Sequence, residues 1–169
     1  EACGQENGNG LYVPRGALPG LDEILRLRRI GLLYDARITM RKHPNSIRYT
    51  AVLDPPIAET DCERVLYNGP LRALCDRAPN NVNTMAVLAL ASDLGFDTLW
   101  ARLVVNPYLK HHVTEVTLIG PRSPNGRFSL ELRRKSPAGT THVTSSATFQ
   151  SFLDSLEGAS GHGPGLHFC

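Results

Sequence analysis

The segment from residue 82 to about residue 94 places Met85, Ala86, Leu88, Ala89 and Leu90 all around a helical wheel and stops before Gly95. A helix that is apolar on nearly every side has no face to give to water, so the rest of the chain must wrap it. Because the run falls well short of the roughly 20 apolar residues that cross a bilayer, it predicts a buried core helix and no membrane span. A chain of 169 residues with 41% hydrophobic content can build one such core, and one domain with ragged ends is expected.

The wrapping material changes period along the chain. Leu11 to Val13 is a short strand closed by Pro14, Gly16 and Gly20; Leu21-Asp-Glu-Ile-Leu-Arg-Leu-Arg-Arg then repeats apolar residues at helical spacing up to Gly31, with Pro19 suited to the first turn. From Ala36 the period is two: Ala36, Ile38 and Met40 alternate with Arg37, Thr39 and Arg41. Ile47, Tyr49, Ala51 and Leu53 alternate with Arg48, Thr50 and Val52. With His43-Pro-Asn-Ser between them, the two runs predict a hairpin with one polar face. Further strands are expected at 64–67, 99–105, 113–119 and 127–134, the last two joined by a loop at Gly120-Pro-Arg-Ser-Pro-Asn-Gly. Short helices are expected at 70–77 and 145–156, and Asn80 or Asn81 is a candidate cap for the buried helix. The tail, 157–169, is expected to be flexible unless its Leu166-His-Phe-Cys end docks. Strands grouped in this way, without regular alternation with helices, predict an α+β fold: a mostly antiparallel sheet covered by helices on one face.

Several function classes drop out. A formal charge of +2 over mixed acids and bases is too weak for a nucleic-acid or membrane-surface partner. Cys3, Cys62, Cys75 and Cys169 are scattered, with no C-x-x-C and no export signal, which points to reduced thiols in the cytoplasm and to no zinc site. The dinucleotide fingerprint G-x-G-x-x-G is missing: Gly8-Asn-Gly10 has Val13 where the third glycine belongs, and Gly161-His-Gly163 has Leu166. No phosphate-binding glycine loop or nucleophile elbow is present either.

Two constellations remain as candidates for chemistry. Ala78-Pro-Asn-Asn-Val-Asn sets Asn81 and Asn83 at the start of the buried helix, where an amide either satisfies local backbone or faces a polar ligand beside free N–H groups. Asn106-Pro-Tyr-Leu-Lys-His-His-Val places two histidines at the mouth of a strand. Strand neighbours point to opposite faces, so His111 and His112 cannot share a two-histidine metal site, and at most one enters a pocket as an acid or base.

The order of these segments resembles the C-terminal domain of the L-aspartate dehydrogenase family in its animal branch. Val13-Pro-Arg-Gly-Ala-Leu-Pro-Gly, Pro79-Asn-Asn-Val-Asn-Thr-Met-Ala, Gly95-Phe-Asp97, the histidine strand ending in Gly120-Pro-Arg and the Ser146-Ala-Thr helix start together cover about residues 11–156. The resemblance implies that 1–10 is a remnant of a nucleotide-binding domain and 11–156 a catalytic and dimerisation domain. It implies His112 as the catalytic histidine, Ala17 and Asn83 as contacts to an NAD or NADP cofactor, and no metal. It implies NAD(P)-dependent oxidative deamination of L-aspartate to iminoaspartate, then oxaloacetate and ammonia. The setting it implies is a cytoplasmic homodimer in amino-acid metabolism and NAD biosynthesis. The fragment alone is expected to be inactive, and a non-catalytic binding or dimerisation module is the alternative. The substrate's carboxylates call for cations, and Arg41, Lys42, Lys110 and Arg122 lie nearest in sequence without the sequence choosing among them. Arg15 and Lys110 stand where many bacterial members carry Ser and Asn.

Overall fold

The computed structural model describes residues 9–139, 146–159 and 161–169. Its centre is a five-stranded sheet in the order β3-β4-β2-β5-β6, formed by β2 (Asp35–Lys42), β3 (Arg64–Pro70), β4 (Trp100–Val105), β5 (His111–Ser123) and β6 (Gly126–Pro137). Only the β2–β4 pairing in this sheet is parallel; the other three are antiparallel. The α+β reading therefore holds.

Alternation along β2 decides where the core sits. Ala36, Ile38 and Met40 point inward and are buried, together with Leu103 of β4 and Val116 and Leu118 of β5. Helices α1 (Leu21–Arg29), α2 (Leu71–Cys75) and α3 (Asn83–Ala91) close over that face through Ile24, Leu27, Leu71, Leu74, Met85 and Leu88 in one apolar cluster. α3 is the apolar-all-round segment, and it is buried as its composition demands. α5 (Ser146–Gly158) packs near β6. The opposite face of the sheet is charged: the registers align Thr39, Glu115 and Arg133 in one row and Arg37, Thr117 and Glu131 in another. Among the described residues, no helix is long and apolar enough to cross a membrane.

The predicted hairpin does not form. Pro44–Ser46 is a single 3-10 turn, and residues 47–53 carry no strand. Both edges of β2 are already taken, one by β4 and one by β5, so an alternating neighbour finds no free edge and pairing over long range overrides local pattern. The segment is held by other bonds instead: Thr50 N donates to Arg77 O at 2.8 Å and Tyr49 Oη to Leu66 O at 3.3 Å. The expected loop at 120–126 is shorter than anticipated, because β5 runs on to Ser123 and pairs with Gly126. α3 stops at Ala91, and a separate short helix, α4 (Gly95–Thr98), follows Asp93 in a left-handed conformation. The tail does dock. Its β7 (Gly165–Phe168) runs parallel to β1 (Gly10–Val13), and Cys169 bonds Val13 and Arg15 through the backbone.

Candidate functional site

The site grows from the end of the sheet where β2 finishes and β5 begins. Arg41 pairs with Val113, so Lys42, the next residue of β2, comes level with His112, and His112 pairs in turn with Ser136 of β6. The inward phase that carries Ala36, Ile38 and Met40 reaches Lys42 next. Lys42, His112 and Ser136 thus form a row across three strands on the helix-covered face, with residues on adjacent strands close enough for their side chains to meet. Each is buried, at 3%, 8% and 5% exposure respectively. His111, one residue away, is exposed on the other side, as alternation requires.

Two pieces of chain roof the row. Asn80, Asn81, Asn83 and Thr84 enter it from the 3-10 turn at Pro79–Asn81 and the start of α3. Ala17 enters from the turn after β1, and Thr148 of α5 closes the side. Gly16 sits at a φ of 56°, a left-handed conformation that a residue with a Cβ adopts only with strain. Its carbonyl accepts from Arg134 Nη1 at 3.3 Å and Ser151 Oγ at 2.9 Å, pinning the turn to β6 and α5. Arg134 Nε donates in turn to Ser136 Oγ at 3.0 Å. The pocket wall is therefore braced from behind by an arginine that does not line it.

The asparagines are not helix caps. The residue preceding α3 is Val82, with no side-chain capping bond. The Asn81 side chain is committed elsewhere: Oδ1 accepts from Lys42 Nζ at 3.0 Å and Nδ2 donates to Arg48 O at 3.3 Å. Tertiary bonding of a buried amide has displaced the local role that composition suggested.

Electrostatically the pocket favours an anion. None of the described residues lining it is acidic. Burial lowers the Lys42 pKa to about 8, because a desolvated ammonium is disfavoured. The first turn of α3 adds backbone N–H groups and the positive end of the helix dipole. A second groove adjoins the first, lined by Val13, Pro14, Arg15, Gly16, Val87 and Phe152, and shares Ala17, Asn83, Thr84 and Thr148 with it. Ala17, Asn83, Thr84 and Thr148 therefore form the partition between a polar pocket and a mainly apolar groove. The partition presents the Asn83 amide beside the apolar side chains of Ala17, Val87 and Phe152.

Of the residues singled out from sequence, Ala17, Asn83 and His112 come together in one pocket. Among the four candidate cations only Lys42 joins them. Arg41 lies on the outer face, paired with Glu115 and Glu63. Lys110 is exposed, and Arg122 is exposed near the far end of β5, about 33 Å from His112 at roughly 3.3 Å per residue. His43 accepts from Asn45 N at 3.2 Å in a local turn, and His162 and His167 gather with Tyr12 at the tail. His142 lies outside the described residues. Thr114, Ser136 and Thr148 were not foreseen. The signal for the first two was the strand phase of His112, since residues at even spacing along β5 and opposite it on β6 share its face.

Comparison with known proteins gives a consistent family. Residues 23–155 match the family described as "Aspartate dehydrogenase, C-terminal". The chain is 43% identical over 168 residues to the aspartate dehydrogenase domain-containing protein of Xenopus tropicalis, covering 96% of this chain and 59% of that protein. It is 34% identical over 163 residues to an L-aspartate dehydrogenase of Pseudomonas aeruginosa, covering 92% of this chain and 57% of that one. The chain thus spans a little over half the length of these relatives. A solved structure of aspartate dehydrogenase from Thermotoga maritima superposes with a TM-score of 0.56 over 88% of this chain and 53% of that one, at 19% identity, and so shares the fold.

Proposed function

The chain belongs to the aspartate dehydrogenase C-terminal family, and from that premise we propose that it is the part of an NAD- or NADP-dependent dehydrogenase that holds the amino-acid substrate and moves its proton. The substrate in this reading is L-aspartate, oxidised to iminoaspartate and then hydrolysed to oxaloacetate and ammonia. The observation that carries the proposal is the convergence of His112, Ala17 and Asn83 in one pocket, from three distant stretches of chain.

A nicotinamide bound in the apolar groove would supply the hydride acceptor at Cα. His112 does the proton work: its imidazole takes a proton from the substrate ammonium as Cα gives up its hydride and the C–N bond becomes an iminium, releases that proton to solvent, and, neutral again, takes one from the water that adds to the iminium and returns it to the departing ammonia. Asn83 and Ala17 set how deeply the ring sits against the pocket. Burial of His112 beneath α3 limits competing water, and the strand row keeps it in register with Lys42. A module without chemistry would leave His112 facing outward or occluded from any pocket; its place in the pocket wall supports the catalytic reading instead.

Residues 11–156 form the catalytic domain in this proposal, and the full protein works as a cytoplasmic homodimer. The sheet's charged outer face, on which none of the described helices packs, is the surface open to a second copy. The test is NADH or NADPH formation by the full-length protein with L-aspartate, alongside the isolated chain. The proposal expects turnover in the first and none in the second. A full-length protein that binds cofactor but leaves aspartate untouched would overturn the substrate.

A further inference from the structure

We propose that Lys42 is the carboxylate anchor of this pocket and that the ligand class it selects is a small dicarboxylate, one carboxylate on Lys42 Nζ and the other at the first turn of α3. The inference rests on the reading of the pocket as a substrate site, and it assigns a role to a residue that the proton-transfer chemistry does not use.

Lys42 is at the inward phase of β2, level with His112, so a ligand held by its ammonium has its remaining atoms beside the imidazole. Nζ is also fixed in place. Asn81 Oδ1 accepts from it at 3.0 Å, and the same amide is tied at its other end to the Arg48 carbonyl at 3.3 Å. A lysine normally carries a large rotamer entropy; here much of that has been spent in folding, so a bound anion need not supply it. Asn83 opens α3 two residues beyond Asn81, so a second region of positive potential lies close to the first. The described lining residues include hydroxyls and amides but no carboxylate to repel an acid.

Burial has lowered the Lys42 pKa to about 8, which leaves it mostly charged near neutral pH. An arriving carboxylate would favour the charged form and hold it there. A monocarboxylate satisfies only one of the two positive regions, which is the origin of the selectivity.

The experiment uses the full-length protein and succinate, a dicarboxylate with no amine to oxidise. Calorimetry should show succinate binding, and Lys42→Met should weaken it about tenfold or more, as expected for loss of a charge-assisted hydrogen bond in a buried site. In wild-type protein, acetylation of Lys42 by acetic anhydride, read by peptide mass spectrometry, should slow with succinate and be unaffected by equal butyrate. That second arm requires no variant, so a misfolded Lys42→Met protein leaves the test intact. Unchanged succinate affinity in a folded Lys42→Met protein, or equal acetylation with and without succinate, overturns the anchor. Succinate protection in a protein that never oxidises aspartate would retain the anchor and remove the dehydrogenase reading, so the two fail separately.

Discussion

Arg41 and Lys42 are neighbours on β2, carry the same charge, and lie in opposite environments. Arg41 points to the outer face, where it pairs with Glu115 and, at 3.7 Å, with Glu63; Glu115 is also held by Arg133 at 3.1 Å. Lys42 points inward, is 3% exposed, and bonds an amide that is itself buried. The pleat alone separates them. A cation set among partly exposed acids gains little, whereas a buried cation is costly to hold and correspondingly strong toward an anion. Charge type therefore says less about role than strand phase does.

The largest effect on this contrast should come from the apolar residues that define the two faces. Ile38 is 1% exposed on the inward side, and Ile38→Ala should cost about 2–5 kcal/mol in urea unfolding. Thr39→Ala, on the outer side, should stay within about 0.5 kcal/mol. Comparable losses at the two positions would break the two-face description.

Next in size is Lys42 itself. Its folded pKa lies at about 8, below the ordinary 10.5. Below about pH 8 both the folded and unfolded states hold the proton, and the full cost of burying the charge is present. Between about 8 and 10.5 the unfolded state still holds a proton that the folded state has released, so stability rises with pH; above 10.5 the cost is gone. That lowering corresponds to roughly 3 kcal/mol. The melting temperature of the ligand-free wild-type protein should accordingly carry a rising contribution between pH 8 and 10.5 that Lys42→Met removes. Identical pH profiles for wild type and Lys42→Met over that range would show that burial does not burden the ammonium.

The smallest effect belongs to the outer face. Arg41→Ala should change stability by about 1 kcal/mol or less, and less again in high salt, because partly exposed ion pairs are screened. A salt-independent loss above that range would mean that the outer face is far drier than its exposure indicates.

Much of this was legible in the sequence for a physical reason. The apolar helix, the strand alternation and the histidine pair are local patterns, and each local period maps directly onto a face. The Ala36–Met40 alternation, continued by one step, also marks Lys42 as inward. The false hairpin shows the limit: residues 47–53 alternate as a strand does, but the edges of β2 are taken by β4 and β5, whose paired residues lie more than 60 positions further along the chain. The Asn81 bond to Lys42 was hidden for the same reason, being a contact between residues 39 positions apart. Family resemblance supplied His112, Ala17 and Asn83 as names, and the fold supplied their common pocket.

The central claim is that the inward face of β2 and β5 does the chemistry and the outer face does not. It is tested most directly by measuring kcat for aspartate-dependent nicotinamide reduction in full-length protein carrying His112→Ala or Arg41→Ala. The account predicts a loss of about a hundredfold or more for His112→Ala, the scale of a lost acid–base group, and a change within about twofold for Arg41→Ala. Turnover untouched by His112→Ala, or equal losses in the two variants, would contradict it.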